Sequence, residues 1–239
     1  MSILTHKMKT ARAEAPSSCK FWFPCNEGSG NTITDIISGI VLTDAATAEY
    51  AVPHAVNIHQ QTKSSITAGT IPDLPNNKSL LFIHALESGL AGATGANLFF
   101  GDLAVSGFGV SASQSNFLIK STGVAATTCA FGAIANNQTY IRVSTYNGVT
   151  GLITTYSSSN KDAAALDNTA DASAHLGNIT ISDEFVIGSV TGDGEQYGSA
   201  AYYVDTLPSS ADILSAINWM VANWAVGHKY LPAEFADLI

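Results

Sequence analysis

From Lys20 onward the chain alternates short apolar-rich runs with polar breaks. The runs are "KFWF", "NTITDI", "SLLFIHAL", "NLFFGDL", "FGVSAS", "SNFLIKS", "TTCAFGAI", "QTYIRVSTY", "VTGLITTYS", "DEFVIGSV" and "AAYYVDTL". Most alternate apolar with polar residues or are apolar throughout, and Gly, Asn, Asp or Pro separates them, which is the pattern of strands and turns. Nearly a dozen strands with few helices predict an all-β sandwich or barrel rather than an α/β fold. No repeat of 20–50 residues is visible, which disfavours propellers and solenoids.

Four segments stand apart from the strand pattern. Residues 1–18 carry no period, end in Ala15-Pro16-Ser17-Ser18, and are expected to be an extended arm ahead of one domain spanning 19–239. Asn147-Gly148, between "YIRVSTY" and "VTGLITTY", is a hairpin signal, since both residues tolerate φ > 0. Residues 158–178 are rich in Ala and Asp and read as a long loop that holds a helical turn. Near the end, Pro208 and Ser209 open a helix expected over about 209–226. Ile213, Ile217, Met220, Val221 and Trp224 form its apolar stripe, and Gly227 suits its C-terminal cap. Trp219 lies on the flank of that stripe, placed to cover the sheet edge or meet a partner.

Charge changes the picture. Only 12% of the 239 residues are charged, about half the usual share, so the surface relies on Ser, Thr, Asn and Gly or is covered by neighbours. Lys7, Lys9, Arg12 and Lys20 against Glu14 give the first twenty residues +3; the whole chain carries −9, so the remainder carries −12. A basic arm on an acidic body predicts an electrostatic contact through Lys7, Lys9 and Arg12 with an acidic partner. The body itself should not bind nucleic acid, because an acidic surface repels phosphate. Cys19, Cys25 and Cys129 are odd in number and fit no metal spacing, so buried free thiols are expected, with a Cys19–Cys25 bridge as the alternative. The N-terminal stretch lacks the apolar core of a signal peptide, and no apolar run reaches about 18 residues, so no membrane association is expected. Sequons at Asn77, Asn137 and Asn178 are read as chance matches.

Candidate chemistry is sparse. A glycosidase needs two carboxylates flanking one sugar ring, yet Asp193 and Glu195 are the sole acidic pair two apart, and their flanking glycines mark a turn. His6, His54, His59, His84, His175 and His228 are scattered without a metal-ligand spacing. No catalytic residue and no required cofactor is assigned. Calcium is the one metal left open, through Asp162, Asp167, Asn168 and Asp171 in one expected loop and Asp193 and Glu195 in another. Tyr197, Tyr202, Tyr203, Trp219 and Trp224 are the aromatics available to stack on a sugar.

The stretch "FWFPCNEGSGNTITDIISGIVLT" resembles the first strand and corner of concanavalin A-like, laminin-G-like jelly-roll domains, through Phe21, Phe23, Glu27, Gly28, Gly30, Asp35, Ser38 and Gly39. "DEFVIGSVTGDG" and "YGSAAYYVDTLPSSADILSAINWMVANW" resemble the closing strands and helix of that family. The final segment is also similar to structural proteins of tailed bacteriophages. The resemblance implies a jelly-roll β-sandwich with an N-terminal arm and one C-terminal α-helix. It implies a non-enzymatic virion protein, assembled in the host cytoplasm, that decorates a capsid or associates with the head or tail and acts as a homo-oligomer bound to other virion proteins. The alternative it implies is a module that binds host-surface carbohydrate; a glycoside hydrolase is the third. Within that frame Phe21 and its neighbours should pack in or beside the core, Gly28 or Gly30 should hold φ > 0, and Asp35 should cap a turn before Gly39.

Overall fold

The structure is a computed structural model. It describes residues 19–23, 32–35, 37, 39–43, 49–52, 55–58, 62–65, 73–87, 97–102, 105–110, 116–132, 139–160, 163–177, 179–181, 184–188, 194–207, 209–211 and 213–214. In chain order its strands are β1 (Cys19–Phe23), β2 (Thr32–Thr34), β3 (Val41–Thr43), β4 (Glu49–Val52), β5 (Ala55–Ile58), β6 (Thr62–Ser65), β7 (Ser79–Glu87) and β8 (Asn97–Asp102). They continue with β9 (Ser106–Val110), β10 (Asn116–Lys120), β11 (Thr127–Ala130), β12 (Thr139–Tyr146), β13 (Leu152–Asn160), β14 (Ala163–Asp171), β15 (Glu184–Gly188) and β16 (Gly194–Val204).

Every pairing is antiparallel. An eight-stranded sheet runs β14-β13-β12-β7-β16-β5-β4, with β1 also paired to β16, and a six-stranded sheet runs β11-β10-β9-β8-β15-β6. β2 and β3 form a separate ribbon. The two large sheets face each other as a jelly-roll type sandwich. Phe100, Phe108 and Phe117 come from the smaller sheet, and Phe21 and Phe82 from the larger. The Phe82 ring stands edge-on to Phe100 and Phe108 at 5.7 Å, and Phe21 lies 4.1 Å from Phe100. Edge-to-face geometry brings the positive rim of one ring to the negative face of another, which adds about 0.5–1.5 kcal/mol per pair beyond burial.

The larger sheet is covered on both faces. Leu80, Phe82 and Tyr146 point inward to the core, while Leu81, Ile83, Ile141, Val143 and Trp22, outside that core cluster, are also buried. The near-continuous apolar text of "SLLFIHAL" follows from this, since a strand buried on both sides loses its polar alternate. Phe21 enters the core and Trp22 the opposite face, as alternation along β1 requires.

The first corner is architectural. Asp35 is fully buried, and its Oδ1 accepts hydrogen bonds from the backbone N–H of Trp22 at 2.7 Å and of Ile37 at 3.0 Å. Its main chain closes the turn through Asp35 N to Ile40 O and Gly39 N to Asp35 O, both 2.8 Å. Gly39 sits at φ 79°, a conformation costly for any residue with a Cβ. The expected cap is therefore present, and its carboxylate also ties the corner back to β1. Glu27, Gly28 and Gly30 lie outside the described residues, as do the arm over 1–18 and most of the expected helix. Of that helix, Ser210, Ala211, Ile213 and Leu214 are helical, and Ile213 N–H donates to Ser209 O at 3.0 Å.

Three expectations change. Residues 163–171 are not a loop but the strand β14, paired with β13 from Leu152–Asp171 to Asn160–Ala163 through two irregularities in register. A weak, Ala- and Asp-rich segment becomes a strand because a hairpin partner supplies its hydrogen bonds; the expected helical turn follows it at Ser173–His175. The β12–β13 connection is a hairpin, but it spans five residues. Asn147 N–H donates to Leu152 O, Gly151 N–H to Asn147 O, and the Asn147 carboxamide accepts from Val149 and Thr150. The positive φ falls on Gly151, at 76°, rather than on Asn147 or Gly148. Gly148 is needed instead because the Lys78 carbonyl occupies the place of a Cβ. Finally, β3, β4, β5 and β6, only three or four residues each, were not legible as strands. Cys129 is a buried free thiol, and Cys19 is buried with its thiol donating to the Phe21 carbonyl at 3.3 Å; Cys25 lies outside the described residues.

Candidate functional site

The inner face of the larger sheet changes character along its length. At one end the cross-strand row is Tyr203, Leu80, Tyr146, Ile153 and Ala170. Two residues along it becomes Ala201, Phe82, Ser144, Thr155 and Asn168, and two further along, Ser199, His84, Arg142 and Ser157. The sandwich interior thus passes from apolar to cationic within a few strand pleats. β7, β9, β11 and β15 end, and β8, β10, β12 and β16 begin, at this polar end; residues 88–96, 111–115, 133–138 and 189–193 lie outside the described residues.

Arg142 is almost completely buried. Its guanidinium lies 4.5 Å from the centre of the Phe131 ring, and Nη2 donates to the Gly132 carbonyl at 2.9 Å. The ring face and the carbonyl both favour a desolvated cation. His84, its cross-strand neighbour, stacks on Phe82 and meets Phe131 edge-on, each at 5.5 Å. Burial, and then the Arg142 charge, hold the imidazole pKa well below its ordinary value. Ser157 Oγ donates to Asp167 Oδ2 on β14 at 2.5 Å. Thr155 Oγ1 donates to Ala130 O at 2.7 Å, which fastens β13 to β11 across the sandwich edge. The Cys129 thiol, 3.6 Å from Thr155 Oγ1, is pushed up in pKa mainly by burial and is no thiolate nucleophile.

A second polar knot closes the opposite end. His175 is buried, with Nδ1 2.9 Å from Ser121 Oγ and Nε2 3.1 Å from Thr127 Oγ1. It joins the β10–β11 turn to the short helical turn after β14. Burial lowers its pKa, so the neutral ring donates through one nitrogen and accepts through the other. Ser121 is buried with it, so this Ser–His contact is a structural tie without access for a substrate.

Most of the residues singled out from sequence lie outside the described residues. Lys7, Lys9, Arg12, Trp219, Trp224, Asp162 and Asp193 lie outside the described residues, as do His6, His54, His59 and His228. Tyr203 is buried in the core, with its pKa pushed up by burial, and offers no sugar platform. Tyr197, Tyr202 and Glu195 fall on β16. The expected calcium loop is the strand β14. Asp167 is engaged by Ser157, and Asp171 caps Ser173 N–H at 2.9 Å, which lowers its pKa. Among the described residues, no three His, Cys, Asp or Glu side chains form a metal-sized group, and no helix is long and apolar enough to cross a membrane. His84, Arg142 and His175 were the informative polar residues. Arg142 stands between Ile141 and Val143, and His84 between Ile83 and Ala85, and a polar residue inside an apolar run was the available signal.

No family model and no curated protein matches the chain. Solved structures do match. A receptor-binding domain superposes with a TM-score of 0.60 at 11% identity, over 88% of this chain and 53% of that one. The binding domain of botulinum neurotoxin DC in complex with SialylT gives 0.59 at 11% identity, over 85% of this chain and 52% of that one. Trypanosoma rangeli sialidase in complex with sialic acid gives 0.51 at 12% identity, over 88% and 37%. The chain spans about half the length of the binding domains it matches, and what it shares with all three is the β-sandwich fold.

Proposed function

We propose that this chain is a non-catalytic recognition module that binds carbohydrate. The observation that supports the reading most is the likeness, over 85–88% of the chain, to domains described as receptor-binding or solved with SialylT. A fold alone does not specify a ligand, so the sugar class is an experimental question. The polar end of the sandwich, where several strands begin and end around Arg142 and His84, is the place assigned to it, because recognition residues concentrate at the ends of a rigid scaffold's strands. The test is a glycan array of sialylated and neutral saccharides probed with the purified chain. Binding to a definable saccharide class, weakened about tenfold or more by Tyr197→Ala near the polar end, supports the reading. A flat response across the array, or turnover of a polysaccharide, overturns it.

A second reading rests on the charge distribution. A terminus of +3 against a remainder of −12, on a chain only 12% charged, suits a building block held among neighbours. In that reading the chain is a homo-oligomeric virion protein that contacts capsid or tail proteins through Lys7, Lys9, Arg12 and Trp219. Deleting residues 1–18 should then abolish incorporation into particles and leave the domain folded. Normal incorporation of the shortened chain rules out the arm's role.

A further inference from the structure

Both ring nitrogens of His84 are buried and lack a hydrogen-bond partner. The ring is held by Phe82 and Phe131, and Arg142 is its cross-strand neighbour on β12. Among the described residues, the strands that meet at this layer carry, near it, Glu87 on β7, Tyr140 on β12, Tyr156 on β13, Glu195, Tyr197 and Tyr202 on β16, Cys129 on β11 and Asp167 on β14, whose Oδ2 is engaged by Ser157. The facing position on β16 is Ser199, which is uncharged. A neutral imidazole is tolerated among rings; a protonated one is a second cation beside Arg142 in a desolvated interior. Among the described residues, Phe131 and Gly132 lie against this layer, held by the Arg142–Gly132 hydrogen bond and, one residue earlier, by Thr155 on Ala130 O.

We propose that the His84 end of the sandwich is an acid-operated latch, in which protonation of the imidazole drives Phe131 and Gly132 off the larger sheet and opens the interior between β11 and β14. The inference is independent of the carbohydrate reading. The sign follows from where the proton binds. The closed form holds the His84 pKa below its ordinary value, and the opened form restores it to about 6.5. The opened form therefore binds the proton, and its population rises up to about tenfold for each pH unit below 6.5 until the closed form also titrates.

Cys129, buried and free on β11, reports the opening. The full chain is labelled with 4,4′-dithiodipyridine, which reacts with thiols in acid, at pH 7.5 and pH 5.0, and modification is mapped to each cysteine by mass spectrometry. Labelling of Cys129 is expected to rise on the order of tenfold at the lower pH in the wild type. It should stay flat in His84→Phe, which keeps a ring in the aromatic cage without a titratable group. If His84→Phe does not fold, His84→Gln carries the same comparison. His175→Gln, at the opposite end, should keep the wild-type response. Protection of Cys129 at pH 5.0 in the wild type, or an unchanged acid response in the His84 variant, overturns the proposal. So does a response abolished by His175→Gln and retained by His84→Phe.

Discussion

The two ends of the sandwich interior are built on the same strands and solved in opposite ways. At the Leu80 end, Tyr146, Ile153 and Tyr203 fill the space between sheets, and the surrounding turns add local ties such as Ser121–His175–Thr127. At the His84 end the same strands place an imidazole and a guanidinium inside, where the guanidinium meets the Phe131 ring and the Gly132 carbonyl. Apolar burial is indifferent to pH and tolerant of small shifts. A buried cation is neither, because its hydration must be replaced by specific partners. One end is an anchor, and the other, on the latch proposed above, is conditional on pH.

The largest expected effect comes from removing the anchor. Leu80→Ala leaves a cavity between Tyr203 and Tyr146, its cross-strand neighbours in the core, and should destabilise the fold by about 3 kcal/mol. Urea denaturation should show the same loss at pH 5 and pH 8, since the lost term is packing. A loss confined to one pH would break the comparison. Asp35→Ala tests a tie outside both ends. It leaves the Trp22 and Ile37 N–H groups without their acceptor and should cost about 2–3 kcal/mol, with Asp35→Asn costing less because the Oδ1 acceptor is kept. The smallest effect is the most diagnostic. Arg142→Met keeps most of the stem volume but loses the ring contact and the Gly132 hydrogen bond, a cost of about 2 kcal/mol at pH 8. It also removes a charge that lowers the His84 pKa. With that repulsion gone, the folded pKa moves back toward the unfolded one. Stability that the wild type loses as pH falls below about 6.5 should therefore be lost less steeply in the variant. An unchanged pH slope would show that Arg142 and His84 do not act on each other.

Much of the sandwich was readable from the chain because burial leaves a local mark. "SLLFIHAL", "NFLIK" and "TYIRVSTY" carry their apolar positions at a spacing that names them strands wherever they end up. The corner at Asp35 and Gly39 was readable for the same reason, since a capping carboxylate and a left-handed glycine act over four or five residues. The candidate site was less legible. Arg142 and His84 lie 58 positions apart in sequence and gain meaning only when β12 pairs with β7 in a register that makes them neighbours. β14 shows the same limit from the other side: its Ala, Asp and Asn residues give no strand signal, and it is a strand because β13 offers its edge. Which segments favour extension and which residues favour burial can be read along the chain, because those preferences belong to single side chains and their near neighbours. Register, the second buried face of β7, and the meeting of an imidazole with a guanidinium in one interior came only with the folded chain, because each depends on a partner strand that chain order does not specify.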